Sequence, residues 1–167
     1  MVFPSMSRAT FPTPLGPCAI AWDESGLTSF ELPGAGARAD DVAHPPAEIA
    51  AIIVRVRQHL MGKLQDFSDL RYDFVRVPEF ASEVYRATLA VKPGRTASYG
   101  DIATAIGQPP AASRAVGSAL GANPWPLLVP CHRIVGADGK MTGFSGPGGI
   151  ATKLRLLVLE GSELIAE

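Results

Sequence analysis

At 167 residues, 47% apolar and 19% charged, the chain suits one domain or two small ones and is apolar enough to bury a core. A formal net charge of −1 excludes a strong global pull toward nucleic acid, so any DNA binding must come from local geometry. Two cysteines, Cys18 and Cys131, exclude a disulfide framework and zinc-type Cys/His spacing, and no apolar run approaches the ~20 residues of a membrane span.

The N-terminal stretch MVFPSMSRATFPTP lacks the apolar centre of a signal peptide, so a reducing, cytoplasmic location is expected. Residues 18–22 read as a strand, 23–26 as a turn and 27–32 as the return strand of a hairpin. Cys18, in the first strand, reads as a buried core thiol. Residues 33–46 are loop by composition, and His44 within them reads as a solvated side chain. Ile49, Ile52, Ile53, Val56 and Leu60 form a helical stripe over 47–61, with Gly62 suited to end it. His59 lies near that C-terminus and is assigned no function. Residues 67–77 alternate weakly and suggest a further strand. Pro78 marks the expected boundary between a 1–77 domain and a 78–167 domain. The first carries 7 Lys/Arg against 9 Asp/Glu, the second 8 against 7, so the second half is only slightly the less acidic.

In the second half, Phe80, Val84, Ala87 and Val91 mark one helix face, closed by Pro93-Gly94. Ser98-x-x-Asp101 has the form of a capping box. It opens a short helix carrying Ile102, Ala103 and Ile106, stopped by Gly107. Gln108-Pro109-Pro110 makes a turn, and a second helix covers about 112–122, a helix-turn-helix arrangement. Its inward stripe is Val116, Ala119 and Leu120. The opposite stripe is Arg114, Gly117, Ser118 and Gly121. Each interior glycine costs about 1 kcal/mol against alanine. So bare a face serves either tight helix packing or close approach to a nucleic-acid groove, with Arg114 at its N-terminal end.

The apolar run 127–129 reads as a buried strand that delivers Pro130-Cys131-His132-Arg133. Prolines 124, 126 and 130 stiffen the approach by fixing φ. By residue type alone, Cys131 is either a small buried hydrophobe or a positioned nucleophile. A hairpin is expected around 136–139, then a glycine-rich loop at 143–149 without phosphate-cradle spacing. The last helix spans about 151–160, with Leu154, Leu157 and Val158 inward and Gly161 after its end. Glu160 at that negative end is either an exposed carboxylate or one held there to orient an imidazole.

From about Phe80 to Gly161 the chain resembles the O6-alkylguanine-DNA alkyltransferases, also called methylated-DNA–protein-cysteine methyltransferases. The resemblance rests on Ser98-Tyr99, Arg114-Ala115-Val116-Gly117, Asn123-Pro124, Pro130-Cys131-His132-Arg133, Ser145-Gly146 and Glu160-Gly161. Thr13-Pro14-Leu15-Gly16-Pro17 before a hairpin is similar to the family's N-terminal domain. The fold implied is α/β in the broad sense, α+β in detail. A small sheet-plus-helix domain precedes a mostly helical one with a helix-turn-helix of winged-helix type.

The activity implied is single-turnover repair. The alkyl group on O6 of guanine moves to the protein's own cysteine, without cofactor or metal. Cys131 would accept it, His132 would take the thiol proton, Glu160 would orient His132, and Asn123 would brace the turn. If the cysteine segment is extended, Cys131 and His132 point apart, so a bridging water is the expected link. Tyr99 would donate toward the base. Ser145, Phe144, Pro126, Leu120 and Ile134 would line the pocket, with the Cys131 and Ile134 carbonyls reading the exocyclic amine. Arg114 would fill the gap left by the flipped nucleotide, and Ala115, Gly117, Ser118, Gly121 and Tyr99 would meet the duplex. The implied partner is double-stranded DNA bound by a monomer. Tyr85 stands where the family commonly has Trp, Phe144 where Tyr is frequent, and the turn before Arg114 and the loop after Ser145 are longer than usual. The rival readings are a damage sensor that flips the base without transfer, and a helix-turn-helix transcriptional regulator. Cys131 argues against the first. A variant of the second, the output half of a methyl-responsive regulator, is argued against because no additional DNA-binding domain is evident.

Overall fold

The computed structural model describes residues 6–34, 36–138 and 149–162. The loop positions Phe144 and Ser145 therefore lie outside the described residues. The N-terminal half holds an antiparallel sheet of β1 (Ser7–Phe11), β2 (Cys18–Asp23) and β3 (Gly26–Glu31) in that order. The β2–β3 hairpin agrees with the sequence pattern. β1 went unread because Ser7, Arg8 and Thr10 hide its alternation. Arg8 is nonetheless buried, since its guanidinium reaches Glu31 Oε2 at 2.8 Å and Asp41 Oδ1 at 2.7 Å.

Helix α1 (Ala47–Leu60) buries Ile49, Ile52, Ile53, Val56 and Leu60, as its stripe requires. Segment 67–77 is not the expected strand. Only Tyr72 bridges, to Leu27, and Phe74–Arg76 then close a 3₁₀ turn. The chain curls there because Arg76 is drawn onto Asp73 and Asp23, both at 2.7 Å. The Tyr72 crossing also explains Gly26. Its φ is +132°, and a Cβ would sit 2.4 Å from the Arg71 carbonyl oxygen.

Helix α2 (Glu79–Leu89) buries Ala81, Val84, Tyr85, Thr88 and Leu89. The sequence stripe was offset: Phe80, Ala87 and Val91 are only half-buried, and Val91 lies past the helix end. Strand β4 (Ala97–Ser98) leads into α3 (Tyr99–Ala105) through the predicted capping box. Asp101 N donates to Ser98 Oγ and Ser98 N to Asp101 Oδ2, each at 2.9 Å. A 3₁₀ turn at Pro110–Ala112 absorbs the long connection before α4 (Ser113–Gly121). Helices α3 and α4 pack on each other and on α2, completing the helix-turn-helix.

Strand β5 (Ile134–Val135) pairs in parallel with β4, and the return segment of the hairpin expected around 136–139 lies outside the described residues. Helix α5 (Gly149–Leu159) buries Lys153, Leu156 and Leu157, while Leu154 and Val158 are exposed. The inward face is turned from the expected one because the Lys153 ammonium has a partner inside, the Ile134 carbonyl at 2.6 Å.

The architecture is α+β, and one apolar cluster runs through both halves, from Ile20, Phe30 and Val56 to Val84, Val116 and Leu156. Trp125, fully buried, is its centrepiece. Its ring meets Tyr72 and Phe74 edge-on at 5.4 Å and Tyr85 at 5.9 Å, and its Nε1 donates to the Leu27 carbonyl at 3.0 Å. Phe30 N also donates to the Pro124 carbonyl at 2.9 Å. The segment before Cys131 is thus pegged to the N-terminal sheet. No helix among the described residues is long and apolar enough to cross a membrane.

Candidate active site

The approach to Cys131 is a tight turn, not the buried strand read from 127–129. Asn123 folds it. Its Oδ1 accepts from Trp125 N and its Nδ2 donates to the Val129 carbonyl, both at 2.9 Å, while Val129 N returns to the Trp125 carbonyl at 2.9 Å. Leu127 is held at φ +78°, a strained region for a branched side chain. Burial of its side chain and the Asn123 bonds on either side hold it there. Cys131–Arg133 then form a 3₁₀ turn, with Cys131 N bonded to the Val129 carbonyl at 2.7 Å. The extended geometry assumed from the sequence does not apply, and the argument that alternation separates Cys131 from His132 falls with it.

One carboxylate organises the residues behind the thiol. Glu160 Oε1 accepts from His132 Nε2 at 2.9 Å and Arg133 Nε at 2.8 Å. Its Oε2 accepts from Arg133 Nη2 at 2.7 Å and His59 Nε2 at 2.8 Å. Glu160 is therefore not an exposed terminal carboxylate but is 3% exposed. Because the ionised carboxylate only accepts, His132 carries its proton on Nε2. Its Nδ1 is then a bare lone pair, and it has no hydrogen-bond partner among the described residues.

The ionisation states follow. Burial alone would raise the Glu160 carboxyl, but the Arg133 guanidinium, then His132 and His59, hold it far below the usual carboxylate range. Burial pushes the His132 imidazole down, against the pull of Glu160, so it rests neutral at pH 7. Burial pushes the Cys131 thiol up. The Asn123 amide, the Lys153 ammonium and the backbone N–H groups of Cys131 and His132 bring it part of the way back. The site thus stores a neutral thiol near a neutral imidazole, together with groups ready to stabilise a thiolate.

The remaining predicted residues fall into two groups. Tyr99 opens α3, half-buried, its ring 6.0 Å from Lys153 Nζ and 3.8 Å from where a Gly117 Cβ would be. Arg114, Ala115, Ser118 and Gly121 lie exposed on α4, Gly117 half-buried against Tyr99, and Leu120 on the inward face. Pro126 is half-buried within the turn, and the Ile134 carbonyl is engaged by Lys153. Tyr85 stays buried by donating its hydroxyl to the Ala119 carbonyl at 2.6 Å.

Three residues at the site escaped sequence reading: His59, Arg133 and Lys153. His59 carried a usable signal, since it continues the Ile52–Val56 face at helical spacing. Lys153 shares a face with Leu156 and Leu157, but a lysine there reads as surface. Arg133 gave no signal beyond its place in the motif.

Fold and site together define a helix-turn-helix protein with a buried cysteine next to a His–Glu pair. Residues 79–162 match the family described as 6-O-methylguanine DNA methyltransferase, DNA binding domain. The chain is 38% identical over 166 residues to the methylated-DNA–protein-cysteine methyltransferase of Mycobacterium tuberculosis, covering 95% of this chain and 94% of that one. It is 39% identical over 155 residues to a DNA base-flipping protein of Thermus thermophilus, covering 90% and 97%. The crystal structure of Mycobacterium tuberculosis OGT in complex with DNA matches with a TM-score of 0.78 at 38% identity, covering 92% of each chain. The O6-methylguanine-DNA methyltransferase of Pyrococcus kodakaraensis matches at 0.67 and 25%, covering 94% of this chain and 99% of that one. The chain belongs to the methylated-DNA–protein-cysteine methyltransferase family.

Proposed function

We propose that this protein repairs O6-alkylguanine in DNA by moving the alkyl group, once per molecule, onto Cys131 Sγ. The observation that carries this reading is the bare Nδ1 of His132, whose Nε2–H is committed to Glu160. The thiol proton passes to His132 Nδ1. The Sγ–C bond forms as the C–O6 bond breaks, and guanine leaves with the electron pair on O6, its charge met by a proton donated from the Tyr99 side. Lys153 and the backbone N–H groups of Cys131 and His132 supply the field that favours the thiolate. The thioether has no route back, so the protein is spent.

A base inside a duplex cannot reach a buried thiol, and flipping it out costs a few kcal/mol. In this reading the side-chain-poor face of α4 enters the minor groove and Arg114 fills the vacated stack. Residues 78–167 carry both functions, with 1–77 as their support. Ser145, Phe144, Pro126, Leu120 and Ile134 bound the base pocket. The protein works as a cytoplasmic monomer without cofactor. Incubation with a duplex carrying O6-methylguanine tests the reading. Guanine restored in an amount equal to the protein added supports it. Tight binding with no restoration would leave a base-flipping sensor instead.

A further inference from the structure

His59 lies in α1, far from Glu160 in sequence, yet it is fully buried and its Nε2 is 2.8 Å from Glu160 Oε2. Its tautomer is fixed by the backbone. Gln65 N, which can only donate, bonds His59 Nδ1 at 2.9 Å, so Nε2 must carry the hydrogen and donate to the carboxylate. The turn after α1 is shaped for this bond, with Gly62 at φ +96° and Lys63 N returning to the Gln58 carbonyl at 2.9 Å. The Phe67 ring lies 5.4 Å from the imidazole on another side.

We infer that His59 is a positioning residue of the alkyl-acceptor relay, supplied by the N-terminal half: by holding Glu160 Oε2 it leaves Oε1 to His132 and sets how basic His132 Nδ1 is. The inference rests on the proposed role of Cys131 and His132. The charged and titratable groups bearing on His132 are Glu160 from the end of α5, Arg133 from its own turn and His59 from α1, with Cys131 adjoining and Lys153 facing the thiol. Removing the His59 donor leaves the carboxylate less neutralised. The His132 imidazolium is then favoured, and less of His132 is available as base at low pH.

The test follows benzyl transfer from free O6-benzylguanine to Cys131, by mass, between pH 5.5 and 9 in the full chain. His59→Phe should move the acid limb of the rate profile up by about one pH unit. Transfer should then be slower toward pH 5.5, by up to roughly tenfold where both profiles lie on their acid limbs, with a near-normal rate at pH 8.5. His59→Gln, which keeps a donor at the Nε2 position, should return the limb toward the wild type. A folded His59→Phe protein with an unmoved limb overturns the inference, whatever its stability. ¹⁵N-imidazole spectra of the wild type decide the matter if the variant does not fold. His59 must show an Nε2–H tautomer whose signal responds to His132 titration. A Nδ1–H tautomer, or no response, overturns it. If wild-type Cys131 takes up neither a benzyl group from the free base nor a methyl group from duplex O6-methylguanine, the proposed function fails by itself, and the spectra still decide the place of His59.

Discussion

Arg133 grips Glu160 with two nitrogens, Nε on Oε1 at 2.8 Å and Nη2 on Oε2 at 2.7 Å, inside the protein. Such a pair fixes the carboxylate in plane, and breaking a buried pair costs more than the pair contributes, because one charge is left stranded. Glu160→Gln should therefore destabilise the fold by about 3–5 kcal/mol. Urea unfolding measures it. Transfer to Cys131 should slow in the same variant, even where it is folded, because His132 loses the negative charge of its acceptor and one amide oxygen is left for the four N–H donors.

The same groups set the acid sensitivity. Glu160 titrates far lower folded than its ordinary ~4.3, so its stabilisation is present above that value and is lost as pH falls below it. His132 titrates below its ordinary ~6.5, so folding also weakens as pH falls through 6.5 and the buried imidazole resists its proton. Urea midpoints from pH 8 to 3 should decline in two stages. His132→Gln should remove the first, and Glu160→Gln should flatten the second.

On α4, stability and DNA binding should separate. A Cβ at Gly121 meets nothing within 4 Å. Gly121→Ala should therefore gain up to about 1 kcal/mol from helix propensity. Gly121→Leu should fold equally well, yet bind duplex at least tenfold more weakly in a fluorescence titration, since bulk on that face holds the groove away.

Arg114 is exposed in the first turn of α4. Arg114→Ala should slow repair in duplex DNA by tenfold or more while leaving transfer from free O6-benzylguanine within twofold. Equal losses on both substrates would contradict a role in base eversion.

Trp125 joins the halves, so Trp125→Ala should cost about 3–5 kcal/mol. Because the ring pegs the turn ahead of Cys131, the loss should also appear as a reduced transfer rate in the surviving folded protein, read by single-turnover kinetics at low temperature.

Much of this fold was legible because periodicity and punctuation agreed. The α1 stripe, the Ser98–Asp101 box and Gly107 each rest on local rules, and each stands in the structure. What failed was decided by distant partners. Segment 127–129 has the composition of a strand, but the Asn123 side chain takes its backbone bonds and bends it. Lys153 turned the face of α5 because a carbonyl far along the chain accepts its ammonium. The motif brought Cys131, His132 and Glu160 into view together. His59 stayed hidden, because nothing local says that a histidine ending one helix will face a glutamate ending another.

The most direct measurement is the mass of the Cys131 peptide after reaction with a duplex carrying O6-methylguanine. One methyl group should be found on that peptide, with total transfer capped at one per protein molecule and none in Cys131→Ala. Guanine restored beyond that cap, or restored with Cys131 unmodified, would contradict the account.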